Sequence, residues 1–163
     1  MYRPLPEKPR VRGQMKGNAV ANPLYDGLFG RHAGKTTPFL HLLDGSTITH
    51  QHFLSRAAQI ANVMLQLKLK PGDRVAAQIE KSPEALALYA ACAQAGLVFL
   101  PLNTAYTVDE LAYFIDNSGA SLIVCDGRNQ AALAPLAGRL GAIIETLNAD
   151  GSGSLNAKMQ KMP

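Results

Sequence analysis

The chain has 163 residues, of which 47% are hydrophobic and 17% charged, and its net charge is +4. This length is enough for one domain with a sizeable core, but it is short for a two-domain enzyme. The first 16 residues hold five basic side chains and one acid, so the whole net charge lies in a short arm. That composition argues against a nucleic-acid-binding or membrane-binding surface, and we interpret residues 1–21 as a basic, proline-containing flexible tail.

The same N-terminal stretch bears on localisation. It lacks the apolar core of a secretory signal, and the chain has no run of about 18 apolar residues that could cross a membrane. Its arginines are typical of a mitochondrial presequence, but three prolines interrupt the amphipathic helix that import requires. Met15 is an alternative start of translation. Cys92 and Cys125 lie inside predicted elements, so we expect free buried thiols in a soluble, cytoplasmic protein.

The first predicted elements are short. Residues 23–29 (PLYDGLF) indicate one or two helical turns, and residues 30–37 a polar loop. Residues 39–43 and 46–49 then flank Asp44-Gly45, a pair favoured in two-residue hairpin turns because both residues tolerate positive φ. We therefore expect an N-terminal β-hairpin.

A helix–strand unit follows the hairpin. Apolar residues from Phe53 to Leu65 recur at helical spacing, and the pattern is expected to end near residues 70–72 (KPG), where proline cannot continue a helix. Residues 74–79 then form a predicted strand.

The next two units have strong start signals. Ser82, Pro83 and Glu84 suit the cap and first turn of a helix, Gly96 suits its end, and residues 97–100 form an apolar strand. Residues 107–110 (TVDE) form a predicted capping box, followed by a helix and a strand at residues 122–125.

The alternation continues with a helix at residues 131–140 and a strand at residues 142–147. Alternating strands and helices favour the α/β class, with a mostly parallel sheet flanked by helices. We expect residues 22–147 to form an incomplete α/β domain. Residues 148–163 are polar and rich in glycine and serine, and we expect a flexible end that adds nothing to the core.

The search for metal-ligating or nucleophilic residues is mostly negative. No histidine lies at a spacing from cysteine or acid that closes a metal site, and no Gly-x-Ser-x-Gly elbow surrounds a serine. The four histidines are His32, His41, His50 and His52. Cys92, on a predicted helix, is better explained by packing than by nucleophilic chemistry. We therefore assign no catalytic, cofactor-binding or metal-binding residue.

Three stretches are candidates for a phosphate cradle. Gly27 with Gly30, and residues 151–153 (GSG), do not lie between a strand and a helix, which favours ordinary loops. Residues 81–84 (KSPE) do follow a strand and open a helix, so they could offer N–H groups and a cation to an anion. An ordinary helix cap explains them more simply.

Several segments together resemble the N-terminal portion of AMP-forming acyl-CoA synthetases. Residues 47–49 (TIT) with Phe53-Leu54 resemble the first core motif of that superfamily, although residues 50–52 (HQH) depart from it. Residues 72–75 (GDRV) resemble its turn into a strand, and residues 95–103 (AGLVFLPLN) resemble its second core motif. The resemblance covers about residues 22–156.

Within that superfamily the chain is most similar to malonyl-CoA synthetases, on residues 104–111 (TAYTVDEL) together with residues 80–82 (EKS). The resemblance implies the first part of the large N-terminal domain. It also implies ATP, Mg²⁺ and CoA as the cofactors of a complete relative, which would convert malonate to malonyl-CoA, AMP and pyrophosphate.

The resemblance also shows what this chain lacks. The lysine-ending phosphate loop, the Thr-Glu motif, the ribose-binding aspartate and the C-terminal catalytic lysine of the family have no counterpart in it. Stabilising the phosphorus transition state requires positioned N–H groups, Mg²⁺ and lysine. We therefore expect no activity from this chain alone.

Three interpretations stay open: an inactive fragment of an interrupted gene, one subunit of a split ligase, or a non-catalytic α/β binding module. The second requires a separate chain that carries the rest of the ligase. A sheet without its neighbouring layers should also expose apolar surface, through which the chain could associate with itself.

Overall fold

The computed structural model describes residues 22–163 and has the α/β architecture expected from the sequence. Four strands form a parallel sheet in the order β4-β3-β5-β6, and β1 and β2 form a separate antiparallel hairpin. The helices are α1 (Pro23–Leu28), α2 (His50–Gln66), α3 (Pro83–Ala95), α4 (Val108–Ser118), α5 (Gly127–Leu140) and α6 (Ser154–Met159). The strands are β1 (Pro38–His41), β2 (Thr47–Thr49), β3 (Arg74–Gln78), β4 (Val98–Pro101), β5 (Leu122–Cys125) and β6 (Ile143–Thr146), and a 3-10 turn spans Gly30–His32.

The predicted tail, residues 1–21, lies outside the described residues. Within residues 22–163, no helix combines the length and the apolar character needed to span a bilayer.

The parallel sheet separates two apolar cores. Because successive side chains of a strand point to opposite faces, Val75 of β3 packs with α2 and α3, whereas Ala76 packs with α4 and α5. The same alternation divides Val124 and Ile123 of β5 between the two cores. Both faces of β3 and β5 are buried, which explains their nearly continuous apolar sequences.

The predicted helix starts and stops around the second and third units are confirmed. The Ser82 hydroxyl accepts from the Ala85 N–H at 3.1 Å, and Gly96 ends α3 in the left-handed conformation at φ 69°. Both bonds of the Thr107–Glu110 capping box are present. In each unit the cap predicted from sequence therefore fixes the start of the helix.

The hairpin does not contain the predicted two-residue turn. His41 pairs with Thr47, and the Leu42 N–H donates to the Ser46 carbonyl at 2.9 Å, so residues 43–45 form a three-residue loop. Gly45 has positive φ but Asp44 does not, and a type I′ turn needs both. The Asp44 carboxylate instead accepts from the N–H and hydroxyl of Ser46, which stabilises the longer loop.

Helix α2 ends at Gln66, earlier than the Lys-Pro-Gly sequence suggested. Lys68 takes the left-handed conformation at φ 64°, and the Leu69 N–H donates to the Met64 carbonyl at 3.1 Å. This is a Schellman arrangement with lysine where glycine is usual. It places Leu69 in the core, where only 6% of its surface is exposed.

The expectation that residues 148–163 add nothing to the core is wrong. They contain α6, in which Leu155 and Met159 are 1% and 3% exposed. Gly153 permits the approach of this segment to the sheet, because a Cβ there would lie 2.3 Å from the Thr146 carbonyl oxygen. The sequence signal was weak because only two apolar side chains, four residues apart, carry the packing.

The two edge strands of the parallel sheet, β4 and β6, offer few free main-chain N–H groups, for different reasons. On β4, the N–H groups of Val98 and Leu102 bond to the β3 side, so Phe99 and Pro101 face the open border, and Pro101 has no N–H to offer. On β6, the outward N–H of Thr146 donates to the Ser154 hydroxyl at 2.9 Å, and the Ser154 N–H donates back to the Thr146 hydroxyl at 2.8 Å.

Candidate functional site

A cleft of about 780 Å³ lies at the carboxyl ends of β3 and β4, beside the start of α3. Ligands of open α/β sheets bind at this end of the strands, because the connecting loops there bring polar groups together over a rigid base. Its polar rim comprises Glu80, Lys81, Ser82, Asn103 and Thr104. Its position makes it the best candidate for a functional site among residues 22–163.

The floor of the cleft is apolar. Leu86 and Tyr89 of α3 face Phe99 of β4, and the rings of Tyr89 and Phe99 meet edge to face with centroids 5.5 Å apart. Edge-to-face pairs are a favoured geometry for aromatic rings. The cleft thus combines an ordered apolar floor with a charged rim.

Residues 81–84 occupy the rim at the start of α3, where the sequence left a cap and an anion site as alternatives. Ser82 acts as the cap, and Glu84 turns away to bond with Arg56 of α2 at 2.7 Å. Among the ion pairs formed within residues 22–163, none involves Lys81, which is exposed on the rim. The geometry therefore supports the cap and leaves one cation facing solvent.

Gln78, which the sequence analysis did not single out, holds the far wall of the cleft. Its side-chain amide is buried and donates to the carbonyls of Asn103, Thr104 and Tyr106 at 3.1–3.4 Å. Its carbonyl oxygen accepts from the Asn129 side chain at 3.0 Å. A glutamine in the otherwise apolar run VAAQI at the end of a strand was the available signal.

Gln78 also occupies the topological switch point. The connection that leaves β3 leads to β4 on one side, whereas the connection that leaves β5 leads to β6 on the other, so the crevice between β3 and β5 is the usual ligand position. The Gln78–Asn129 hydrogen bond joins the end of β3 to the start of α5 at this crevice. The cleft lies one strand away, over β3 and β4.

The two glycine-containing candidates are local structure. Gly27 lies inside α1, and Gly30 packs against Asp26. In residues 151–153, the Gly151 N–H donates to the Asn148 carbonyl and the Ser152 N–H to the Asp150 carboxylate. A Cβ at Gly151 would also lie 3.2 Å from the Glu84 carboxyl carbon, so a carboxylate lies against this turn.

These arrangements do not fit the triphosphate of ATP. A phosphate cradle needs several free N–H groups that converge on one point, usually beside lysine. In residues 81–84, Pro83 has no N–H and the Ser82 hydroxyl is occupied by the Ala85 N–H, and in residues 151–153 the N–H groups of Gly151 and Ser152 bond to a carbonyl and a carboxylate. We therefore derive no reaction step through ATP from these residues.

The four histidines do not form a metal site with other residues among 22–163. His32 and His50 stack with ring centroids 4.6 Å apart, whereas His41 and His52 are exposed on β1 and α2. No group of three potential ligands is close enough to hold a metal ion anywhere in residues 22–163.

Cys92 and Cys125 are free and buried, as expected. Burial raises the pKa of Cys92 to about 12. Burial and the neighbouring Asp126 raise the pKa of Cys125 to about 11. Because only a thiolate is an effective nucleophile, both groups are inert at neutral pH.

The AMP-binding enzyme family matches residues 29–161 of this chain. Among curated proteins, a feruloyl-CoA synthase from Amycolatopsis sp is 38% identical over 97 residues, which are 59% of this chain and 20% of that protein. Long-chain fatty acid transport protein 1 from Rattus norvegicus is 30% identical over 135 residues, or 81% of this chain and 21% of that protein.

This chain is also similar to solved structures. MatB from Rhodopseudomonas palustris, in its apo and ATP-bound forms, is 41% identical and superposes with a TM-score of 0.83 over 86% of this chain and 28% of that chain. The chain thus spans 20–28% of the length of these relatives. Because the family match extends over most of its residues, the chain belongs to the AMP-binding enzyme family, and its fold matches the N-terminal domain of the acid–CoA ligases in that family.

Proposed function

We propose that this chain forms the first part of the N-terminal domain of a malonyl-CoA synthetase, which converts malonate, ATP and CoA to malonyl-CoA, AMP and pyrophosphate. The observation that carries the proposal is the similarity to MatB, a malonyl-CoA synthetase, at 41% identity and a TM-score of 0.83. Malonate as the acid follows from this similarity and from residues 104–111, which resemble malonyl-CoA synthetases.

Within such a ligase, this chain would supply shape and support. The Gln78 amide holds residues 103–106 as one wall of the cleft, and the ordered floor of Tyr89 and Phe99 forms its base. The groups that bind the nucleotide, Mg²⁺ and CoA would lie in the segments that this chain does not contain. Adenylation depends on those groups for transition-state stabilisation, so the chain alone is inactive under this proposal.

The proposal therefore includes a partner: the polypeptide that carries the rest of the ligase. Its docking would cover the cleft and exposed apolar side chains elsewhere on the surface, among them Val98, which is 49% exposed on β4. Without that partner, the same surface would favour self-association.

The test is a hybrid ligase. Residues 22–163 of this chain replace the matching segment of R. palustris MatB, and malonate-dependent AMP release is measured for the hybrid, for MatB and for this chain alone. We expect activity from the first two and none from the third. A folded hybrid without activity contradicts the proposed role, and acyl-adenylate formation by the chain alone contradicts its dependence on a partner.

A non-catalytic binding module is the second candidate. It is favoured by one observation: residues of this chain alone form the cleft, with an apolar floor and a free lysine on the rim. Calorimetric titration of the chain with ATP separates the candidates. Saturable heat supports the module and contradicts a partner-dependent ligase part, whereas its absence agrees with the ligase proposal.

A further inference from the structure

We propose that His32 and His50 form a pH-sensitive latch that holds residues 30–37 against the start of α2. The two imidazole rings are nearly parallel, with an interplanar angle of 9° and centroids 4.6 Å apart. The ring centroids of Phe39, on β1, and His50 are 4.8 Å apart. The His50 ring therefore contacts an aromatic ring of the hairpin as well as the His32 ring. The stack thereby joins three parts of the chain: the 3-10 turn, the hairpin and α2.

The backbone docks at the same place. The His50 N–H donates to the Thr37 carbonyl at 3.2 Å, and the Gln51 N–H donates to the Lys35 carbonyl at 2.9 Å. These are first-turn N–H groups of α2, which have no partner within the helix. Residues 35–37 therefore cap α2, and the histidine stack lies directly beside these two bonds.

The charges around His32 disfavour its protonation. The Lys35 ammonium lies 3.1 Å from His32 Nδ1, where it donates only if that nitrogen keeps its lone pair. Arg31 is adjacent in the chain, and the positive end of the α2 dipole lies at His50. On α1, the Asp26 carboxylate lies beside Gly30, the first residue of the 3-10 turn that contains Arg31 and His32.

The direction of the pH effect follows from these contacts. Desolvation lowers the pKa of His32 below its ordinary 6.5, and the charges of Lys35, His50 and Arg31 lower it further. A base whose pKa is lower when docked than when free binds fewer protons in the docked state, so docking is most stable above pH 6.5 and weakens as the pH falls below it. Acid would thus release residues 30–37, while the parallel sheet, whose four strands contain no histidine, stays folded.

Hydrogen exchange of the full chain between about pH 5 and about pH 7.5, corrected for the intrinsic exchange rate, tests the latch. The expected result is a loss of protection at His50 and Gln51 below about pH 6, with the strands of the parallel sheet unchanged. His32→Phe keeps an aromatic ring but cannot be protonated, and it should remove this pH response. His41→Phe, at an exposed histidine on β1, is the matched control and should keep it.

An unchanged pH response in His32→Phe would overturn the proposal, and so would constant protection across the range in the unsubstituted chain. NMR titration of the His32 ring in the unsubstituted chain provides a check that does not depend on the variants folding. A measured pKa of 6.5 or higher would also overturn the latch. The latch does not rest on the ligase proposal.

Discussion

Single residues in this protein illustrate how burial decides chemical behaviour. Gln78 is buried at the end of a strand, and its side-chain amide donates to three loop carbonyls, so it supports the cleft wall. The buried thiols of Cys92 and Cys125 have strongly raised pKa values. Lys68 occupies a backbone conformation that suits glycine, because the chain must turn there to bury Leu69.

The cysteine thiols provide a prediction about reactivity and pH. Both should resist alkylation at pH 7.5 in the native chain and react at once in urea, as followed by mass spectrometry. Unfolded thiols ionise near pH 9.0, whereas the native ones ionise near 11 and 12. The native state therefore holds more protons above pH 9.0, and the thiols lower the free energy of unfolding as the pH rises.

The control for this pH effect is the Cys92→Ala/Cys125→Ala variant, whose stability should decline less between pH 9 and pH 11 than that of the native chain. Equal decline in both proteins would contradict the thiol explanation. Rapid labelling of the native chain would contradict the burial of the thiols.

Lys68 gives a prediction about backbone strain. Lys68→Gly should raise the free energy of unfolding by about 0.5–1 kcal/mol, because glycine adopts φ near +64° without the Cβ contact that strains lysine. Denaturant unfolding measures the change. Lys70→Gly, at a backbone outside the left-handed region, should instead lower stability slightly, and a similar loss in both variants would refute the strain argument.

At the scale of secondary structure, local signals account for the helices that have caps. Ser82 and Gly96 bound α3, and Thr107 and Gly119 bound α4, as their side-chain chemistry requires. Helix α6 differs, because no side chain caps it and its position depends on contacts with the sheet and with α2. The Ser154–Thr146 bonds and the Lys158–Glu145 ion pair at 2.7 Å attach it to β6.

Removing the apolar anchor of α6 should therefore be costly. Leu155→Ala should lower the free energy of unfolding by about 2–5 kcal/mol, as expected for a fully buried leucine. Leu24→Ala, the same substitution at a side chain that is 54% exposed on α1, should change it by less than about 0.5 kcal/mol. Thermal or chemical denaturation of the two variants measures this difference, and comparable losses would show that α6 is not part of the core.

For the whole molecule, two cores share one sheet, and the surface still exposes apolar side chains. Within residues 22–163, seven large apolar residues are at least 46% exposed, including Leu28 on α1 and Tyr113 on α4. Single exposed leucines are normal in a monomer, but a family member that spans 20–28% of its relatives is expected to carry surface that those relatives cover.

Hydrophobic dye binding tests this expectation. The chain alone should bind the dye and self-associate in ultracentrifugation at micromolar concentration, and addition of the remaining ligase polypeptide should suppress both effects. A compact monomer that does not bind the dye would contradict the proposed partner and favour an independent module.

The sequence predicted the α/β class, the parallel sheet and the starts of α1, α3 and α4, because caps, turn residues and apolar periodicity are local signals. It did not predict α6 or the end of α2, since each depends on packing against the core, as for Leu69, and it assigned the wrong length to the hairpin loop, which a local Asp44–Ser46 contact stabilises. It also missed the role of Gln78 and the pairing of His32 with His50. Both are relations between segments that only the folded chain brings together.

The two sheet borders have a practical consequence for handling this polypeptide. Pro101 on the edge strand β4 has no N–H, and the Thr146 N–H on the edge strand β6 bonds to Ser154. Few main-chain donors are therefore left with which a further strand could pair. Concentrated samples should therefore form reversible clusters through their side chains, and thioflavin-positive fibres should not accumulate on storage.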